Sequence, residues 1–208
     1  MKKNEKLHEK QVFENMRDLV ERSAEMYPDR TAYSYKISPR DKEPVKKGFT
    51  ELRDDIRALT TELLSRGYAG GHCAVIGKFS YSWVRAYFSI LSAGAVIVPL
   101  DRDWTGADLA DTVARANAEY LFIDRDLSDK AEAIKALAGI KEVIFMSGDE
   151  GETLDSLVAL GKEKFASDSS AYYNAPIDVN KLSLLVFTSG TTGKGKGVML
   201  TQNNVLSD

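Results

Sequence analysis

CAVIGKFSYSWVRAYFSILSAGAVIVPL, residues 73–100, decides the fold. CAVIG, 73–77, is a short continuous apolar run, which reads as a buried strand. Ser80 is a good helix N-cap. Behind it Val84, Tyr87, Phe88 and Leu91 recur at i, i+3, i+4 and i+7, the spacing of one helix face. Gly94 can end that helix, and AVIVPL, 95–100, is the next strand. A strand, a helix and a strand joined by short links form the repeating unit of a parallel sheet.

The same unit recurs toward the C-terminus. Thr105 and Asp108 open a helix carrying Leu109, Val113 and Ala116, and YLFID, 120–124, is a strand. Ser128 starts a helix with Ala131, Ile134 and Leu137, Gly139 ends it, and EVIFM, 142–146, is a strand again. Strands that are apolar throughout are covered on both faces. The expected class is α/β: a doubly wound, mostly parallel sheet with helices on both faces.

Toward the N-terminus, Val12, Met16, Leu19, Val20 and Ala24 predict a helix closed by Pro28. AYSYKI, 32–37, alternates like a strand, and SPRDKEP, 38–44, is a polar, proline-bounded loop. Leu52, Ile56, Leu59 and Leu63 mark a second amphipathic helix, ended by Gly67. Between 147 and 180 the pattern weakens. SGDEGETLD and ASDSSAYYNAP read as exposed connection, with one short helix around 154–160. The expected organisation is an α/β region over 1–180, then a strand and loop over 181–208 that open a further segment.

Composition narrows the function. The 208 residues carry 28 Lys and Arg against 31 Asp and Glu, which gives no bulk basic character to suggest nucleic acid. One cysteine excludes an intrachain disulfide framework and a cysteine-based zinc site, and His8 and His72 have no ligand spacing. The basic N-terminus lacks the apolar stretch of a secretory signal, and 90–100, the longest apolar run, is too short to span a bilayer. The expectation is a cytoplasmic protein with a small ligand, with room left for peripheral membrane contact. Trp83, Tyr87 and Phe88 read as packing residues and Cys73 as a small buried hydrophobe. Asp101 and Trp104 read as turn and packing residues.

The chemistry lies after LSLLVF, 182–187, in TSGTTGKGKGVML, 188–200. Thr188, Ser189, Thr191 and Thr192 supply hydroxyls; Gly190, Gly193, Gly195 and Gly197 let backbone approach a ligand; Lys194 and Lys196 supply charge. Successive backbone N–H groups in such a turn form an anion-binding nest. A solvated surface turn has no need of that string, so the residues favour a polyphosphate at the end of a buried strand. Residues 190–196 fit the first seven positions of a Walker A loop, but Gly197 stands where Ser or Thr must bind magnesium. Val198, Met199 and Leu200 also look like a strand, where Walker A opens a helix.

FTSGTTGKGKGVMLTQNN, 187–204, resembles the signature loop of the adenylate-forming superfamily, which holds acyl-CoA synthetases, luciferases and peptide-synthetase adenylation domains. FTEL, 49–52, and LSAGAVIVPLD, 91–101, are similar to its first two core motifs, so the likeness covers most of the chain from about Val12 onward. Two positions depart from the family pattern. Gly195 replaces a usual Pro, which should loosen the loop. Gln202 replaces a frequent His that is implicated around the substrate carboxylate and the phosphates.

The resemblance implies ATP-dependent activation of a carboxylic acid, most like a long-chain fatty acid. The carboxylate attacks the α-phosphorus of Mg²⁺-ATP, pyrophosphate leaves, and the CoA thiol takes the acyl group. Thr188, Ser189, Gly190, Thr191, Thr192 and Gly193 would wrap the β- and γ-phosphates, with Lys196 adding charge and Lys194 solvated. The family's Mg²⁺-binding Glu, ribose-binding Asp and catalytic Lys fall beyond residue 208. Neither a catalytic residue nor a metal ligand is therefore expected here; the loop would take the phosphates of ATP, while Mg²⁺ and CoA would be held mainly by further chain. The expectation is a truncated N-terminal part, inactive alone. Two alternatives stand beside it: a branch that adenylates amino or aryl acids, and a non-catalytic binding or interaction module.

Overall fold

The strand–helix alternation builds one sheet. In the computed structural model, which describes residues 11–188 and 195–207, β3 (His72–Ile76), β4 (Val96–Leu100), β5 (Tyr120–Ile123) and β6 (Glu142–Phe145) run parallel. β7 (Leu182–Thr188) adds to β4 in parallel, and β8 (Lys196–Thr201) pairs antiparallel with β7. The spatial order is β6-β5-β3-β4-β7-β8.

Strand residues alternate between two apolar layers. Cys73 and Val75 face a layer built with α1 (Met16–Met26), α2 (Phe49–Ser65), α3 (Tyr81–Ser92) and α6 (Leu154–Ser167). Ala74 and Ile76 face the opposite layer, built with α4 (Gly106–Arg115) and α5 (Ser128–Ala138). The sheet is thus doubly wound with helices on both faces, as its continuous apolar strands required. Among the described residues, no helix is long and apolar enough to cross a membrane.

Local signals set most element ends. The Ser80 hydroxyl accepts from Trp83 N at 3.2 Å and caps α3; Thr105 does the same for α4 through Asp108 N at 3.2 Å. Gly139 ends α5 in the left-handed region at φ 66°. Cys73 is fully buried, and burial pushes its thiol well above the ordinary value.

Several expectations need correction. α1 starts at Met16, where Asn15 accepts from Asp18 N, so Val12 lies outside it and is exposed. β1 (Thr31–Tyr35) has an antiparallel partner, β2 (Val45–Gly48), whose sequence VKKG carries no apolar alternation. α5 does begin at Ser128, but Leu137 faces solvent and does not join Ala131 and Ile134 in the core.

The largest difference lies in 153–174, where two helices stand; 147–151 is exposed and irregular, as expected. α6 runs 14 residues to Ser167, past the expected end near Leu160, and α7 (Ser170–Asn174) follows. Leu154, Leu157, Val158 and Gly161 form the buried stripe of α6. Gly161 lies inside that helix because α2 crosses it there: a Cβ would sit 1.9 Å from the Ala58 carbonyl oxygen. Tyr172 on α7 is fully buried and donates to Glu21 Oε1 at 2.8 Å, with the Arg17 guanidinium 5.1 Å from its ring centroid. Arg17 in turn donates to the carbonyls of Ala175 (3.0 Å) and Ser92 (2.6 Å), which ties this segment to α1 and α3.

Candidate functional site

Thr188 and Lys196, the described residues of the expected phosphate loop, close the β7–β8 hairpin at the edge of the sheet. Only Ile97 and Leu184 register β4 against β7, whereas β7 and β8 pair through six positions from Leu182–Thr201 to Thr188–Lys196. β7 lies beside β4 in the sheet, with Val186 against one core layer and Leu185 and Phe187 against the other, and the far end of the hairpin is where the chemistry was expected. The apolar 198–200 run is strand, as its composition indicated.

Thr188 and Lys196 form the last pair, both exposed, with Thr188 Oγ1 donating to the Lys196 carbonyl at 3.5 Å. Ser189, Gly190, Thr191, Thr192 and Gly193, and the neighbouring Lys194, lie outside the described residues. Gly195 packs closely: a Cβ there would meet the Thr188 carbonyl oxygen at 2.8 Å. A proline at 195 would carry that Cβ, so this backbone path suits glycine and not the residue more usual in the resembling loop.

Arg115, the last residue of α4, was not anticipated. Its Nη2 donates to the Gly195 carbonyl at 2.8 Å, and its guanidinium carbon lies 5.4 Å from the Phe187 ring centroid. In the sequence it reads only as a helix-terminal cation.

Gln202 is placed away from the expected role. It is 1% exposed, its Oε1 accepts from Met16 N and its Nε2 donates to the Leu91 carbonyl, both at 2.9 Å. Both ends of the amide are thus used on backbone of α1 and α3. Gln202 opens α8 (Gln202–Leu206), whose cap is reciprocal: the Thr201 hydroxyl accepts from Asn204 N at 3.2 Å, and Asn204 Oδ1 accepts from Thr201 N at 2.9 Å. This device fixes the exit of β8 against the first core layer.

A second unanticipated cluster joins the loops after β3, β4 and β5. Buried Asp124 accepts from Lys78 N at 2.7 Å and from Arg102 Nη1 at 2.9 Å. Asp126 accepts from Arg102 Nη2 at 2.9 Å and pairs with Lys78 at 3.2 Å. The Arg102 hydrogen bond, with help from Lys78, holds the Asp126 carboxyl below its usual range. These charges compensate each other, so the cluster ties three strand ends together. Among the described residues, no group of three or more His, Cys, Asp or Glu is placed to hold a metal ion.

Comparison with known proteins matches this architecture. The profile of the AMP-binding enzymes, described as "AMP-binding enzyme", matches residues 20–208. A 7a-methyl-1,5-dioxo-octahydro-1H-inden-4-yl propanoyl:CoA ligase of Mycobacterium tuberculosis is 32% identical over 166 residues, covering 76% of this chain and 32% of that protein. A long-chain-fatty-acid–CoA ligase of Mycobacterium bovis is 29% identical over 161 residues, covering 76% of this chain and 27% of that one. Tyrocidine synthase 1 of Brevibacillus parabrevis is 25% identical over 192 residues, covering 92% of this chain and 15% of its own length. In fold, the crystal structure of a long-chain-fatty-acid-CoA ligase from Archaeoglobus fulgidus superposes with a TM-score of 0.79 at 21% identity, over 97% of this chain and 38% of that one. The chain spans about a third of the length of the first two of these relatives.

Proposed function

The chain belongs to the family of AMP-binding enzymes, and from that premise we propose that the protein activates a carboxylic acid with ATP. The acid, a fatty acid on this reading, becomes an acyl-adenylate and then an acyl-CoA. The two CoA ligases among the relatives support that choice over the other branches. The single buried cysteine suits a reducing compartment, the cytoplasm.

The observation that carries the reading is the β7–β8 hairpin, whose closing pair is Thr188 and Lys196. On this reading Thr188, Ser189, Gly190, Thr191, Thr192 and Gly193 grip the β- and γ-phosphates, and Lys196 offsets their charge. The acid's carboxylate oxygen bonds to the α-phosphorus as the bond to pyrophosphate breaks. The carbonyl carbon then takes the CoA sulfur, AMP leaves, and the thiol proton passes to solvent. The first step needs charge stabilised on the departing pyrophosphate, and preorganised N–H, O–H and ammonium donors do that. Mg²⁺ supplies charge neutralisation when bound. The described residues hold no cluster for it, so its ligands are sought outside them.

ATP–pyrophosphate exchange on the whole protein with a panel of fatty, aryl and amino acids tests the reading. Fatty acids should support exchange best. Lys196→Ala should slow it by about tenfold or more, within the range for lost transition-state donors; unchanged kinetics would remove Lys196 from the site. The likeness to tyrocidine synthase 1 favours a second reading, amino-acid adenylation, and exchange with amino acids alone would select it.

A further inference from the structure

We propose that the protein has a binding site for a neutral, two-ring apolar molecule, in a cavity walled by α1, β1, α2 and α3. The cavity measures about 310 Å³, and none of its lining belongs to β7 or β8. The site therefore stands apart from the phosphate hairpin and does not rest on its assignment. Protein interiors are close-packed and hold few voids larger than a water molecule. An apolar cavity of about 150 Å³ stays dry and takes up benzene. One of roughly twice that volume has room for about twice the carbon, the size of two fused rings.

The walls account for the opening and for its persistence. Val20 of α1, Ile56 of α2 and Val84 of α3 are buried and make the floor. Phe79, 72% exposed, stands at the mouth, where the Tyr33 hydroxyl donates to its carbonyl at 3.1 Å and the two ring centroids lie 6.2 Å apart. Each wall is fixed by contacts made elsewhere. Gln202 holds the start of α1 at Met16 N, α2 is seated on α6 at Gly161, Ser80 caps α3, and β1 is paired with β2. Surroundings held in this way relax only partially into a void, so the space stays available.

The lining selects the ligand. Tyr33, Phe49, Phe79 and Phe88 bring rings from β1, α2, the link after β3, and α3. Such side chains favour offset or edge-on contact with another ring. Arg53 is the charged residue of the lining, and its Nε and Nη2 already face Asp54 Oδ1 at 2.9 and 2.8 Å. An anion entering the cavity would lose hydration without gaining an unpaired cation, which disfavours a carboxylate. The acid to be activated is therefore not the ligand of this cavity. With the Tyr33 hydroxyl engaged on Phe79, Ser23 of α1 is left to exchange one hydrogen bond with a ligand hydroxyl or carbonyl.

Calorimetric titration of the 208-residue chain with naphthol measures binding, and NMR shifts of the Val20, Ile56 and Val84 methyls locate it. The expected Kd is about 100 µM or below, the range for a ligand of about eleven heavy atoms. Naphthoate should bind about tenfold more weakly, because it brings a charge that nothing in the cavity meets. Decanol should also bind about tenfold more weakly, because its chain has more rotamers to freeze. Ser23→Leu and Ala32→Leu fill the cavity from two different walls. Each should cut naphthol affinity by about tenfold or more, with the melting temperature unchanged or raised. Two variants guard against either one failing to fold. Ser23→Ala should weaken naphthol binding about threefold and leave naphthalene binding as it was.

If naphthol gave neither heat nor methyl shifts, the site would be overturned. Shifts confined to Val205 and Leu206 would place the ligand in the groove beside α8 and overturn it as well. Undiminished affinity in both filled variants would do the same. Naphthoate or decanol binding as tightly as naphthol would overturn the assignment to a neutral two-ring molecule.

Discussion

Replacing Gln202 with Ala separates a structural role from a ligand-binding one. The side chain is 1% exposed and makes two bonds, from Met16 N and to the Leu91 carbonyl, each 2.9 Å. Their loss is unequal. Met16 N opens α1, where the first N–H groups have no intrahelical acceptor. Without Gln202 it stays buried and unpaired, at a cost of about 2 kcal/mol. The Leu91 carbonyl keeps the Gly94 N–H at 3.1 Å, so its loss is smaller, about 1 kcal/mol. The void left by the side chain adds roughly 1 kcal/mol. The sum is about 4 kcal/mol, a large part of the roughly 5–15 kcal/mol that holds an ordinary domain folded. For a chain of this size the melting temperature should drop by about 8–16 °C. Urea unfolding and a thermal scan, both followed by circular dichroism, measure it. Gln202→His should lose about half as much, because a neutral imidazole can accept from one backbone group and donate to another. A loss below about 1 kcal/mol for Gln202→Ala would refute the argument. An unchanged melting temperature with weakened polyphosphate binding would return Gln202 to the ligand side.

Three further outcomes follow from contacts outside the hairpin. Gly161→Ala should destabilise the chain by about 2 kcal/mol or more, despite alanine's better helix propensity. Its Cβ would sit 1.9 Å from the Ala58 carbonyl and must push α2 and α6 apart, so an unchanged urea midpoint would contradict that packing. Arg102→Ala should raise the Asp126 carboxyl toward the ordinary carboxylate value, read by an NMR pH titration of the side-chain carboxyl; no upward movement would mean the pair does not hold in solution. The folded-state value is depressed, so the contribution of Asp126 to stability is present above the usual carboxylate range near pH 4 and is lost as pH falls through the lower folded value. Cys73 should resist an aqueous thiol reagent until the chain is unfolded, since burial disfavours its thiolate; rapid labelling of the native chain would show that β3 opens readily.

What the sequence displays and what it hides divide by the range of the interaction responsible. The β3–α3–β4 unit is legible because its signals are local. Ser80 caps within three residues, Val84 and Leu91 share a helix face, and Cys73, Ala74, Val75 and Ile76 are all apolar because both sides of the strand are covered. α6 is half-legible. Leu154, Leu157 and Val158 carry the helical spacing, but Gly161 looks like a stop until α2 is seen against it. β2 is illegible because VKKG becomes a strand only through its pairing with β1. Tyr172 is masked by polar neighbours, and its burial depends on Glu21 and Arg17, far away in the chain.

The site follows the same division. The hydroxyls, glycines and lysines of 188–197 announce a phosphate grip because a nest is built from consecutive residues. The contacts made by residues at either end of β8 are remote in sequence: Gln202 acts on Met16, 186 positions away, and Arg115 on Gly195, 80 positions away. Neither contact leaves a periodicity or spacing in the chain. A glycine at 195 in place of the proline usual in the resembling loop therefore looks, in sequence, like lost rigidity. Against α4 the same glycine is the residue that lets Thr188 approach within 2.8 Å of where a Cβ would sit. Just before β8 the glycine and Arg115 are in contact, so a substitution at either position has to be judged with the other present.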